Sequence, residues 1–170
     1  MRLSFLLTVV IIFSNVSNAQ NSTQIDSLEN VIQNTKNDSI KMVTYNKLRR
    51  VTYYSDPESS KRYTKRFFEL AKKRKDSFRV AMANYYLGNA NVVESDFESA
   101  IQHYFKSANY FEQKKDSARL SSVLNGIGAA YENSGNDSLS LKYFKRSQSI
   151  SKKLGDSRRS AIALNNIGNI

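Results

Sequence analysis

One period governs this chain. Asp76-Ser77, Asp116-Ser117 and Asp156-Ser157 recur every 40 residues, and Gly88, Gly128 and Gly168 follow them at a constant offset. Each glycine sits directly after an apolar residue, Leu87, Ile127 or Ile167. Self-similarity at this length marks a stacked helical array, in which one unit buries its apolar face only by leaning on the next. The usual work of such arrays is holding other proteins rather than turning over a substrate.

The first residues must be set aside before the fold is considered. Arg2 gives a positive start, Leu3 to Phe13 is an apolar run, and Ser17-Asn18-Ala19 offers small residues at the two places a signal peptidase inspects. This predicts a secretory signal peptide over residues 1–19, cut between Ala19 and Gln20. The run is too short to span a membrane, which takes about 20 apolar residues. No later stretch comes close, so the mature chain is expected to be exported, periplasmic or secreted. With no cysteine among its 170 residues, the chain has no disulfide framework, no thiolate site and no lipid-modified cysteine.

Residues 20–37 carry Ile25, Leu28, Val31 and Ile32 at helical spacing, a short amphipathic helix with Ser22 or Thr23 as its cap. It is expected to shield one end of the array. Repeat units are then predicted over 38–75, 76–115 and 116–155, with a partial unit over 156–170. Each opens on Asp-Ser (Asp38-Ser39 in the first), whose side-chain oxygens can accept the unpaired N–H groups of a helix start. Each also breaks internally, at Ser55-Asp56-Pro57-Glu58, Ser95-Asp96-Phe97-Glu98 and Gly135-Asn136-Asp137-Ser138. A unit is therefore two helices joined by a tight turn, and Pro57 suits the first turn of a second helix. The glycine column of the first helix faces Ser60, Ala100 and Ser140 of the second, so small residues are expected to bring the two axes close. Tyr131 and the column Thr64, Tyr104, Phe144 would fill the surrounding space. Leu70, Tyr110 and Ile150 form a further column directed at the next unit.

Leu124-Asn125-Gly126-Ile127-Gly128-Ala129-Ala130-Tyr131 resembles the first helix of the tetratricopeptide repeat, and Asp96 to Tyr104 resembles its turn and second helix. Leu164-Asn165-Asn166-Ile167-Gly168 restarts the pattern. Unit one departs from it, with Leu48 in the glycine column and Lys47 in the apolar one, and its Asp38-Ser39 stands two residues nearer than the period asks. The resemblance implies an all-α, right-handed superhelix of stacked antiparallel helix hairpins, a TPR-like α-solenoid. It also implies a concave groove lined by the first helices, where a peptide or partner protein binds. One groove row would hold Tyr45, Tyr85, Asn125 and Asn165, and the next Arg49, Asn89, Ala129 and Asn169. Asparagine amides can hydrogen-bond an extended peptide backbone, and tyrosines add contact area at little entropic cost. The abundance of asparagine throughout the chain explains the same residues as compositional bias.

Nothing in the sequence argues for catalysis. His103 is the single histidine, with no companion ligands for a metal or a catalytic relay, and it shares a column with Tyr63 and Tyr143. It reads as an aromatic-sized packing residue with a polar tip. The glycines lie alone inside helices, unlike a phosphate loop, and the carboxylates are scattered over caps and turns. No cofactor or metal is expected. Between Glu58 and Lys75, eight cations stand against two carboxylates, a net +6. That stretch is either an anion-seeking stripe or a solvated helix face; an exported protein has little call for nucleic acid. Asn21-Ser22-Thr23, Asn37-Asp38-Ser39 and Asn136-Asp137-Ser138 match the glycosylation pattern, though caps and turns explain them equally.

The leading expectation is an exported, non-catalytic interaction scaffold. The alternative is the extracytoplasmic sensor region of a longer bacterial histidine kinase or transcriptional regulator, since the repeat pattern stops at Ile170 inside a first helix. An unfinished fourth unit would leave Ile162, Leu164 and Ile167 partly uncovered, which favours end-to-end self-association.

Overall fold

A computed structural model describes residues 22–170. The predicted signal peptide and its cut site lie outside the described residues. Ser22 and Thr23, expected to cap the first helix, are themselves helical. Among the described residues there is no strand. Helix α1 covers 22–34. It is followed by α2 (Asp38–Thr52), α3 (Pro57–Lys73), α4 (Ser77–Val93), α5 (Phe97–Gln113), α6 (Ser117–Asn133), α7 (Asp137–Lys153) and α8 (Ser157–Gly168). The chain divides into two compact units, one reaching Tyr63 and the other running from Thr64 to Ile170, with the division inside α3.

Every turn after α3 uses the same chemistry. The helix ends in a residue with positive φ, Lys75, Ser95, Lys115, Gly135 or Gly155. The next residue closes a six-to-one bond onto the departing helix, as Asp116 N–H does to Phe111 O at 2.9 Å and Asn136 N–H to Tyr131 O at 2.8 Å. That same residue then caps the new helix: Asp116 Oδ1 accepts from Arg119 N–H at 3.1 Å, and Asn136 Oδ1 from Leu139 N–H at 3.1 Å. A single residue thus satisfies the end of one helix and the start of another, so hairpins and stacks join with almost no loop.

The second unit is held by rings laid on glycine. A Cβ added at Gly88 would stand 2.5 Å from Tyr104 Cε1, and one at Gly128 would stand 2.5 Å from Phe144 Cδ1. Ala100 and Ser140 are fully buried as expected. What the glycines make room for, however, is an aromatic ring of the partner helix rather than another small residue. Tyr104 and Phe144 are almost wholly buried as a result, beside Phe111, Leu124 and Ile127. Gly168, in the same sequence column, faces open space. Buried serines add to the α6–α7 contact: Ser147 Oγ donates to Ser121 O at 2.8 Å.

In the first unit, Ser60 Oγ donates to Arg49 O at 2.9 Å, and Tyr63 stacks on Tyr45 while its hydroxyl donates to the Glu29 carboxylate. Its register differs from expectation. Asn37, not Asp38, caps α2, accepting from Ser39 N–H and Ile40 N–H at 2.8 and 3.3 Å. From that cap to the Asp56 cap of α3 is 19 residues, against 20 from Asp76 to Asp96. The buried set of α2, Met42, Thr44, Leu48, Arg49 and Thr52, therefore matches Ala81, Ala83, Leu87, Gly88 and Asn91 at an offset of 39, not 40. Leu48 belongs to the apolar column after all, and Arg49 occupies the glycine position.

Gly128→Ala is expected to destabilise the chain by about 1–3 kcal/mol despite the better helix propensity of alanine, because the new Cβ overpacks a buried ring. Gly168→Ala, with nothing to strike, is expected to be neutral or to stabilise by up to ~1 kcal/mol. Chemical denaturation of the two variants checks the contrast.

Candidate protein-interaction groove

The predicted groove residues divide into those the structure gathers and those it does not. Tyr85 on α4 and Asn125 on α6 line one cleft of about 140 Å³, together with Ser122, Arg159 and Ile162. Tyr85 is fixed by ring contacts at 5.7 Å to Tyr86 and 6.0 Å to Tyr104. Asn125 Oδ1 accepts from Asn166 Nδ2 at 3.1 Å, tying α6 to α8. One turn along α4, Asn89 Oδ1 accepts from the Tyr104 hydroxyl at 2.7 Å. The oxygens of Asn89 and Asn125 are thus engaged within the protein, and what these amides best offer a ligand is their NH₂ groups. Asn165 and Asn169 are exposed, and Asn169 N–H closes the end of α8 on Asn166 O at 3.3 Å.

Tyr45 and Arg49 belong to the first unit and make contacts of their own there. With α2 set one residue out of period, the residues equivalent to Tyr85 and Asn89 are Asn46 and Arg50. Tyr45 is stacked on Tyr63, and Arg49 is 9% exposed with its guanidinium on Asn46 Oδ1 at 3.2 Å. One residue turns a helix face by about 100°, enough to move a side chain from a groove into a helix interface.

Ser122, Arg159 and Ile162 were missed from the groove rows. Arg159 Nε donates to Ser122 Oγ at 3.1 Å across 37 residues, and its guanidinium also pairs with the Asp156 carboxylate. The signal was present: Arg79, Arg119 and Arg159 recur three residues after Asp76, Asp116 and Asp156, the aspartates that cap the first helices, and each pairs with its own. The Asp156 carboxyl is held below the usual range by the Arg159 backbone N–H; burial opposes this, and the Arg159 side chain lowers it further. Asp56 is lowered by its hydrogen bonds from the Ser59 side chain and backbone. At Asp76 burial pushes upward, but the Arg79 backbone and side-chain bonds outweigh it and the net shift is down.

The arrangement offers hydrogen bonds, aromatic area and one guanidinium. Among the described residues no group of three His, Cys, Asp or Glu could hold a metal ion. No helix among them is long and apolar enough to cross a membrane. His103 is half-buried, and its Nδ1 lies 2.9 Å from Asn84 Oδ1. Because Asn84 Nδ2 donates to Val80 O at 3.0 Å, the amide oxygen is the acceptor and Nδ1 carries the proton.

Carboxyls with a lowered folded pKa contribute stability that is complete above their unfolded value and is lost as pH falls through the folded one. The melting temperature is therefore expected to be flat above about pH 5 and to drop below about pH 4. Asp156→Asn, which keeps the cap but not the charge, should flatten part of that drop in a thermal melt series.

No protein-family model matches the chain, and no curated protein matches it. Solved structures do. A Podosopora anserina protein of kinesin-light-chain type, with nearly identical TPR-like repeats, superposes with a TM-score of 0.68 at 13% identity, over 89% of this chain and 81% of that one. A single-substitution variant of the same protein gives 0.69 over the same shares. BtubC (BKLC) from P. vanneervenii gives 0.61 at 13% identity, over 92% of this chain and 73% of that one. Ring-on-glycine hairpins at a 40-residue period, joined almost without loops, and this likeness agree: the chain has the tetratricopeptide-type α-solenoid fold.

Proposed function

We propose that this chain is an exported, non-catalytic scaffold that binds an extended peptide or partner segment along the first helices of its hairpins. The observation that carries it is the cleft where Tyr85, Asn125, Ser122, Arg159 and Ile162 meet, with contributions from three successive first helices, α4, α6 and α8. A ligand lying across these helices gains a tyrosine face, an aliphatic contact and donors for its carbonyls, while Arg159 favours an acidic residue or a C-terminal carboxylate. Export rests on the leader-like residues 1–19, and fusing them to a reporter active only outside the cytoplasm tests it.

Peptides selected by phage display against the chain provide the binding assay. Tyr85→Ala is expected to weaken the selected peptide by about 2 kcal/mol, roughly 30-fold, as for a buried aromatic hot spot. Asn125→Asp and Arg159→Glu should weaken it further at acidic peptide positions. Selected peptides that bind equally well to all three variants would end this reading. Self-association belongs to the same proposal, since Ile162 and Leu164 on α8 are 46% and 53% exposed; static light scattering should show mass rising with concentration.

A further inference from the structure

A second cleft, of about 630 Å³, opens between α3, α4 and α5 and shares no residue with the groove. Its apolar lining comes from Phe68, Val80, Ala81 and Tyr110, and three lysines, Lys72, Lys75 and Lys106, stand around it with no carboxylate. Asn84, 4% exposed, and His103 complete it as the hydrogen-bonded pair described above.

The repeat supplies its own control. One period later, Lys72 and Lys106 are replaced by Glu112 and Arg146, which form an ion pair. Asn84 becomes Leu124, 1% exposed in the core, and His103 becomes Tyr143, whose ring stacks on Tyr131 at 5.6 Å. Where one interval carries opposite charges and apolar side chains, the other keeps two like charges and a partly buried polar pair beside open space. Like charges facing a shared cleft repel, and the buried Asn84 amide costs desolvation that a leucine there would not. An anion entering the cleft relieves the repulsion, with the polar wall of Asn84 and His103 beside it. The volume falls within the range of small-ligand sites, and the aromatic lining calls for an apolar body rather than a bare inorganic ion. Lys72, already 5.4 Å over the Phe68 ring, shows cation and aromatic surface presented together.

We propose that this cleft binds a small organic anion, an aromatic or aliphatic body bearing one carboxylate or phosphate. Two members of the basic stretch, Lys72 and Lys75, thereby gain a specific role, while Lys65 and Arg66 remain solvated.

Isothermal titration of the full chain with 1-naphthyl phosphate and with 1-naphthoate tests it and separates the two headgroups. The expected result is saturable one-to-one binding of at least one probe, with inorganic phosphate at least about tenfold weaker. Lys106→Glu should weaken it about tenfold or more by recreating the opposite-charge pair, Lys106→Arg should retain it, and Lys65→Glu should leave it unchanged. Asn84→Leu with His103→Tyr should abolish it, with circular dichroism confirming retained helix. Absence of saturable binding of either probe overturns the proposal. So does equal weakening by Lys65→Glu and Lys106→Glu, which would mean diffuse charge attraction, or a cleft that takes only an acidic peptide.

Discussion

The seating of an aromatic ring on a helical glycine is the contact on which the second unit depends. Tyr104 on Gly88 and Phe144 on Gly128 bring two helix axes close enough for the flanking alanines and serines to be sealed from water. The exchange is favourable because the ring buries far more apolar surface than the glycine gives up in helix propensity. It is also directional. A ring from the second helix must meet a gap in the first, which selects the antiparallel pairing and its register together.

The turns make this contact repeatable. A Schellman closure and an N-cap share one residue at each junction, so the chain reverses without a loop whose length could vary. Non-glycine residues hold the left-handed position at Lys75, Ser95 and Lys115. That strained conformation costs of order 1 kcal/mol each time, tolerated because the paired bonds on either side determine it fully. A stack assembled this way presents its first helices in sequence, and the Tyr85–Asn125–Arg159 cleft is a by-product of that order. The lysine-lined cleft arises from the same order by the opposite route, a departure in one interval from the ion pair seen in the next.

The helix pairing, the caps at Asp76, Asp96, Asp116 and Asp156, and the turn at Asn136 were legible because the chemistry is local. A capping side chain reaches three residues, and a period of 40 repeats that reach visibly. Tyr85 and Asn125, one period apart, line one cleft for the same reason. The register of α2 was not legible, since a connection shorter by one residue leaves little mark on composition yet turns a helix face by about 100°. Arg159 was overlooked because its aspartate pairing accounts for it locally, and its bond to Ser122 spans helices.

What the sequence determined by itself was where helices start and stop and that they come in pairs, since capping, left-handed turns and apolar spacing act within a few residues. The tertiary structure alone decided which face of α2 is buried, that glycine accommodates a ring rather than another small side chain, and that Lys72, Lys106 and His103 surround one cleft. Those outcomes depend on how neighbouring helices interdigitate, and a side chain's surroundings there are set by residues 20 to 40 positions away.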